Sequence, residues 1–359
     1  MILPGELRRA KEPFDFYPFV VAELGANHNQ DLDLALATVT AAAAAGADAI
    51  KVQTYTPEGM IYPGTRHRIE GGQWDGEDLY DLYRRGALPW SWHQALFTQA
   101  RERGILAFAS VFEPDAVPFL ERLGCPMYKI ASCEILDLDL IRVAAATRKP
   151  MVISTGMATL AEIDEAVAAA TSALDTNQIT LLKCTAAYPA PAAEANLETL
   201  NNLREHYGCK VGLSDHTRGS TVAIAAALYG VDMIEKHFTL DRAAGGLDAE
   251  FSAEPADLRD MIDAVHAAMD AIGEERFGPT ESERSTYALR RTLHVIRAMK
   301  AGEPFSGHNV RPLRPADGLP PRELHHFLGV AAARDIAPGE PLTWELLRKP
   351  DPRPPGSIA

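Results

Sequence analysis

A chain of 359 residues with 47% apolar side chains has the material for one large domain and a small companion. Its formal net charge of −14 argues against nucleic acid or an anionic membrane surface as partner, although a local lysine cluster can still hold an anionic substrate. The four cysteines (Cys125, Cys133, Cys184, Cys209) form no CxxC pair and each lies in or beside an apolar run, which reads as buried free thiols in a reducing cytoplasm rather than disulfides or a zinc site.

Residues 1–18 carry no usable motif, and "MILPGELRRAKEPFDF" lacks the apolar core of a signal peptide. From residue 19 onward, short apolar runs alternate with Ala-rich stretches of helical period. The runs are "FVVAELGAN", "DAIKVQTY", "ILAFASVF", "MYKIAS", "MVISTG", "ITLLKCT", "KVGLSDH" and "MIEKHFT". Helical patterns lie between them, as at 31–45 before Gly46, at 114–123 before Gly124 and at 159–171. Eight such units over roughly 240 residues point to a (β/α)8 TIM barrel over residues 1–272. A doubly wound open sheet is the competing arrangement, but "AELGANHN" supplies no GxGxxG phosphate turn.

One connection is too long. Residues 56–89 separate the second strand from its helix and are rich in Gly, Trp and Tyr, which suggests a lid or specificity loop that packs Trp74, Leu79 and Tyr83 together. A helix at 255–271 ends the barrel and a linker follows at 273–289. Residues 290–350 then show short β-like runs broken by Gly/Pro turns, the texture of a small second domain, and 351–359 is a Pro-rich tail. No run is long and apolar enough to span a bilayer, so the expectation is a soluble, cytoplasmic protein.

The active site of a barrel lies at the C-terminal ends of its strands, so polar residues there are candidates. The first strand ends in Glu23 and Asn27. The second gives Lys51 and Gln53, two apart and on one face. Ser110 ends the third, Lys129 and Ser132 the fourth, and Ser154 the fifth. Lys183 and Thr185 end the sixth, Ser214, Asp215 and His216 the seventh, and Glu235, Lys236 and His237 the eighth. Buried lysines and serines converging on one mouth suggest a bound phosphate or carboxylate. His216 alone reads more readily as a satisfied core histidine than as a ligand. With His237 on the adjacent strand end, the pair suits a loosely held divalent Mn, Co, Fe or Zn ion whose remaining positions take water or substrate. His28, His93 and the pair His325–His326 lack that arrangement and read as core or surface residues.

These residues sit in longer matching runs. "VAELGANHN", "GADAIKVQTY", "YKIAS", "ISTGMATLAEI", "KCTAAYPAP", "GLSDHT" and "IEKHFTLDR" resemble the sialic acid synthases, which condense phosphoenolpyruvate with an amino-sugar aldehyde. The resemblance covers nearly the whole chain, and the small second domain looks like the antifreeze-like (SAF) module of those enzymes. "QTYTPEGM", "WDGEDLYDLYRRGALPWSWHQALF" and "EKHFTLDRAAGGLDAEFS" are most similar to the members that form pseudaminic acid. One departure is Gly25, where those members often carry Ser.

The resemblance implies a substrate, 2,4-diacetamido-2,4,6-trideoxy-L-altrose, and C–O cleavage of phosphoenolpyruvate. The same mechanism with an N-acetylneuraminate or legionaminic acid precursor is the nearest alternative. It implies a divalent metal, Mn2+ with Mg2+ or Co2+ as alternatives, held by His216 and His237 and polarising the aldehyde. Lys51, Gln53, Ser110, Lys129, Ser132, Ser154 and Ser214 match phosphoenolpyruvate-binding positions. Glu23 matches the acid/base carboxylate, and Asn27, Tyr188, Asp248 and Arg314 match sugar-facing ones. It further implies a domain-swapped homodimer in which the second domain covers the partner's barrel mouth. A Schiff-base aldolase using Lys183 and a non-catalytic sugar-binding barrel are the readings from other classes. Neither accounts for two histidines on neighbouring strand ends.

Overall fold

The computed structural model describes residues 17–347, so residues 1–16 and 348–359, with the tail at 351–359, lie outside the described residues. The chain divides into two compact units between Glu274 and Glu275. The first unit holds β1 (Phe19–Glu23), β2 (Ala49–Thr54), β3 (Leu106–Val111), β4 (Tyr128–Ile130), β5 (Met151–Ser154), β6 (Ile179–Cys184), β7 (Lys210–Asp215) and β8 (Met233–His237). Each pairs in parallel with the next, and β8 returns to β1 to close the barrel, as the alternating pattern predicted.

The helices of this unit are α1 (Leu32–Ala45), α2 (Pro57–Met60), α3 (Leu79–Gly86), α4 (His93–Glu102), α5 (Ala116–Arg122), α6 (Leu138–Ala145), α7 (Leu160–Thr171), α8 (Thr199–Tyr207), α9 (Thr221–Leu228) and α10 (Pro255–Ile272). Local chemistry sets their ends. Asp31 accepts from the N–H groups of Asp33 and Leu34 at the start of α1. Gly46, at φ 99°, closes α1 in the left-handed region that favours glycine. Thr159 and Glu162 form a reciprocal capping box on α7, worth about 1 kcal/mol for such a cap. Behind that cap, Ile163, Ala166, Val167 and Ala170 recur at helical spacing and are buried. Because helices cover the outside of a parallel sheet, the strands are buried on both faces, which is why β1 reads as an unbroken apolar run into Glu23.

The long connection at 56–89 is not structureless. It contains α2 and α3, capped by the side chains of Thr56 and Asp78. In the second unit, α11 (Arg284–Tyr287) falls within the stretch expected as linker. The Ala288 carbonyl that follows accepts from the Ala316 N–H. Beyond it β9 (Thr292–Val295) pairs antiparallel with β10 (Val310–Leu313). A separate small core gathers Leu293, Val295, Phe305, Val310, Phe327 and Leu342.

Cys125, Cys184 and Cys209 are buried free thiols as expected, but Cys133 is exposed. A tight turn at Ser132–Glu134, directly after β4, carries Cys133 out on the rim instead of into the core. Among the described residues no helix is long and apolar enough to cross a membrane.

Candidate active site

Strand alternation decides which polar side chains reach the lumen. Glu23 is level with Lys51 on one side and with His237 on the other. Gln53 is level with Ser110, and Ser110 with Lys129. Cys184 is level with Ser214, and Ser214 with Glu235. The contacts follow that register. Lys51 Nζ lies 2.6 Å from Glu23 Oε2 and donates to Ser110 Oγ at 2.9 Å. Gln53 Nε2 donates to Glu23 Oε1 at 3.0 Å. Glu235 Oε1 stands 3.6 Å from Lys51 Nζ and 3.7 Å from Lys129 Nζ, and accepts from Ser214 Oγ at 3.2 Å.

All four charged groups are nearly sealed from water: Glu23 is 0% exposed, Lys51 3%, Lys129 2% and Glu235 4%. Buried charges survive only when paired and hydrogen-bonded. Burial pushes the Glu235 carboxyl up, but Lys129, Lys51, His237 and His216 together hold it below its ordinary value. The two lysines differ. Burial works against the Lys51 cation, yet Glu23 and Glu235 outweigh it and raise its pKa. For Lys129 burial wins over the Glu235 carboxylate and the pKa falls. Lys129 is therefore the under-compensated cation of the mouth. Ser154 Oγ, at the end of β5, and Glu235 Oε2 are buried with no hydrogen-bond partner among the described residues. Ser132 Oγ accepts from the Gly156 N–H at 3.1 Å.

The two strand-end histidines come together, with ring centroids 5.4 Å apart. His216 Nδ1 lies 3.0 Å from the Thr185 carbonyl oxygen and 3.8 Å from Cys184 Sγ. His237 Nδ1 lies 3.4 Å from Asp248 Oδ2. Each ring thus turns Nδ1 to an oxygen acceptor and keeps Nε2 for another partner, the arrangement common to metal-ligating histidines. Among the described residues no group of three or more His, Cys, Asp or Glu side chains is placed to hold a metal ion. The donors that fit a cation here are two imidazoles.

Aromatic rings wall one side of the mouth. Tyr188 lies 4.3 Å from the His216 ring, 5.1 Å from Phe251 and 5.4 Å from Trp74. Trp74 Nε1 and Gln73 Nε2 both donate to the Leu247 carbonyl, at 2.9 and 2.6 Å, and pin the long loop to the segment after β8. The expected cluster of Trp74, Leu79 and Tyr83 does not form as such. Trp74 joins Tyr188 and Phe251, whereas α3 begins at Leu79 and carries Tyr83 to Tyr55, 5.9 Å away.

The remaining predicted residues divide. Asp248 is buried and accepts from the Ala26 N–H at 2.8 Å. Asn27 spends its amide on the fold, donating to the Phe238 carbonyl and to Ser252 Oγ, with Oδ1 buried and without a partner among the described residues. Arg314 lies on the second unit directly after β10 and is exposed. Lys183, the aldolase candidate, donates to the Cys184 carbonyl. Since Cys184 turns its thiol to His216, its neighbour Lys183 points away from the lumen. His28 bonds the Gly86 carbonyl and His93 the Thr54 hydroxyl, so both are core histidines. His325 and His326 sit ring to ring on the second unit.

Three residues escaped functional assignment from sequence. Glu235 is the hub between the lysines; its position two before His237, on the same strand face, was the available signal. Cys184 touches His216, and burial is opposed by that contact so that its thiol pKa falls. Glu134 is raised to about 7 by burial, with Lys129 opposing, and no local pattern marks it. A cleft of about 920 Å3 also opens beside the mouth, lined by Gln73, Arg218, Lys236, Arg242 and Phe251, and of the strand-end candidates Lys236 lines it.

The sequence model described as NeuB family matches residues 38–277, and that of the SAF domain matches 290–348. The chain is 42% identical over 330 residues to the pseudaminic acid synthase of Helicobacter pylori, covering 91% of this chain and 96% of that one. It is 38% identical to the pseudaminic acid synthase of Campylobacter jejuni strain 81-176, covering 90% and 95%. Among solved structures, the N-acetylneuraminic acid synthetase of Leptospira borgpetersenii in complex with citrate superposes with a TM-score of 0.66 at 30% identity, covering 75% of this chain and 90% of that one.

Proposed function

Because this chain belongs to the NeuB family, we propose that it condenses phosphoenolpyruvate with 2,4-diacetamido-2,4,6-trideoxy-L-altrose and water, giving pseudaminic acid and phosphate. The observation that carries the reading is the buried pair of lysines on a common carboxylate, with Lys129 under-compensated and Ser154 unpartnered at the barrel mouth. An anionic substrate completes that set, because its charge restores to Lys129 what burial removes.

The chain's own groups divide the work. Lys51, Lys129 and the hydroxyls of Ser110, Ser132, Ser154 and Ser214, with Gln53, hold the phosphate and carboxylate of phosphoenolpyruvate. The methylene carbon of the substrate attacks the aldehyde carbon, C2 becomes cationic and water adds there. The Glu23 carboxylate, 2.6 Å from Lys51 Nζ, takes a proton of that water, and phosphate departs as the C2–O bond breaks. Tyr188, Asp248 and Asn27 face the sugar, and the Trp74–Tyr188–Phe251 wall suits its 6-methyl group. A divalent cation, Mn2+ with Mg2+ or Co2+ as alternatives, would be held by His216 and His237 and would polarise the aldehyde, a Lewis-acid contribution of several kcal/mol.

The reading extends to a homodimer in which the second unit of one chain covers the barrel mouth of the other and brings Arg314 to the sugar. It is supported by the exposure of Arg314 and of the apolar Leu289, Leu313, Leu328 and Trp344 on the same unit. Free thiols and an intracellular phosphorylated substrate support a cytoplasmic location.

The test is to mix the protein with phosphoenolpyruvate, Mn2+ and either the altrose derivative or N-acetylmannosamine, reading phosphate release and product mass. Release with the altrose derivative, abolished by excess chelator, is the expected result. No release with any hexosamine overturns the reaction, and preference for N-acetylmannosamine overturns the substrate. Full turnover in chelator overturns the cation.

A further inference from the structure

Gly25 follows β1 by two residues and adopts φ +53°. A Cβ built on it would lie 2.3 Å from Asp248 Oδ2 and 2.9 Å from His237 Nδ1, so any side chain there must displace a buried carboxylate or a strand-end imidazole. The same Oδ2 accepts from the Ala26 N–H at 2.8 Å and stands 3.4 Å from His237 Nδ1. The backbone next to Gly25 therefore fixes the carboxylate, and the missing side chain of Gly25 is the space it occupies. Among the described residues His237 Nδ1 has no closer hydrogen-bond partner than this carboxylate at 3.4 Å. His216 shows the same pattern with a different acceptor, the Thr185 carbonyl at 3.0 Å.

We propose that Gly25 and Asp248 form a seat for His237, in which the carboxylate receives the Nδ1–H and leaves the Nε2 lone pair free for the divalent cation. Asp248 is then a positioning residue in addition to its place beside the sugar, and the bare Cα of Gly25 leaves the space its carboxylate fills in this chain. The inference rests on the cation reading of the two histidines given above. An imidazole without a fixed Nδ1 acceptor divides between two tautomers and rotates, and both losses weaken a ligand that is one of only two from the protein.

The experiment has two readouts. Titration of Mn2+ followed by electron paramagnetic resonance is expected to show about 10–100-fold weaker binding for Asp248→Asn. Long-range 15N–1H spectra of histidine-labelled, metal-free protein at pH 8, with the resonance assigned by His237→Gln, are expected to show the Nδ1–H tautomer in the wild type and a mixture in Asp248→Asn. Wild-type Mn2+ affinity in Asp248→Asn, with only the sugar KM raised, overturns the seat and leaves Asp248 a sugar contact. An Nε2–H tautomer in the wild type also overturns it, even where the variant fails to fold. Absence of Mn2+ binding by the wild type, with His237 in the Nδ1–H form, overturns the cation reading while the seat itself stands.

Discussion

The ammonium of Lys51 lies 2.6 Å from the Glu23 carboxylate at the bottom of the barrel mouth, with both side chains buried. Removing either partner strands the other charge away from water, and the two losses differ in kind. Glu23→Gln keeps the shape and is expected to fold while lowering kcat by about 10²–10⁴-fold, the usual share of a proton-transferring group. Lys51→Met leaves Glu23 without its ion partner and is expected to cost about 3–5 kcal/mol in denaturant unfolding, regained in part by the double variant with Glu23→Gln. A Lys51→Met protein as stable as the wild type would show that the pair does not carry local stability.

Lys129 has one long ion contact, 3.7 Å from Glu235, and burial lowers its pKa. Lys129→Ala is expected to raise the KM for phosphoenolpyruvate far more than that for the sugar, by the equivalent of about 2–4 kcal/mol of binding. Steady-state kinetics with each substrate varied in turn decide the matter. Equal effects on both would make Lys129 part of a structural network instead.

Trp74 packs on Tyr188 and Phe251 and is tied to Leu247, so it walls the mouth rather than stabilising α3. Trp74→Ala is expected to reduce discrimination between the altrose derivative and N-acetylmannosamine by about 1–3 kcal/mol, read as the ratio of their kcat/KM values. An unchanged ratio with a lowered melting temperature would mean the ring only pins the loop.

Burial raises the Glu134 carboxyl to about 7, with Lys129 opposing. The folded chain therefore holds this proton where the unfolded chain has lost it. Its stability contribution is complete below the ordinary carboxylate value and is lost as pH rises through about 7. Glu134→Gln removes that ionisation, so its melting temperature is expected to gain on the wild type between pH 5 and pH 8. A difference that stays constant across the range would place Glu134 in contact with water.

If each active site draws on two chains, inactive His237→Ala and inactive Arg314→Ala proteins should complement each other on subunit exchange. A heterodimer would contain one site with both residues intact, and activity should recover toward a fraction of the wild type. Mass spectrometry establishes exchange. No recovery after exchange would place Arg314 in its own chain's site or outside catalysis.

Strands, caps and lumenal side chains were legible because their causes are local. Apolar runs ending in polar residues mark strand tips, Asp31, Gly46 and Thr159 mark helix ends, and two-residue alternation puts Lys51 with Gln53 on the inner face. Glu235 carried the same alternation, two residues before His237, but alternation alone does not say that a carboxylate stands between two lysines from other strands.

The amino-acid sequence by itself determined the barrel, its family and the set of strand-end groups, since these follow from periodicity and from contiguous motifs. Tertiary structure alone decided which of those groups meet. Asp248 reaches the backbone of Ala26 across 222 positions, Trp74 reaches Leu247 across 173, and Tyr188 packs on His216 from a neighbouring loop. The Cβ collision that reserves Gly25 for the Asp248 carboxylate exists only once the barrel has closed and β8 lies beside β1. Sequence periodicity specifies the face on which a residue lies; closure of the barrel brings the faces together, and that juxtaposition is what sets distances, charge balance and the free lone pairs of the site.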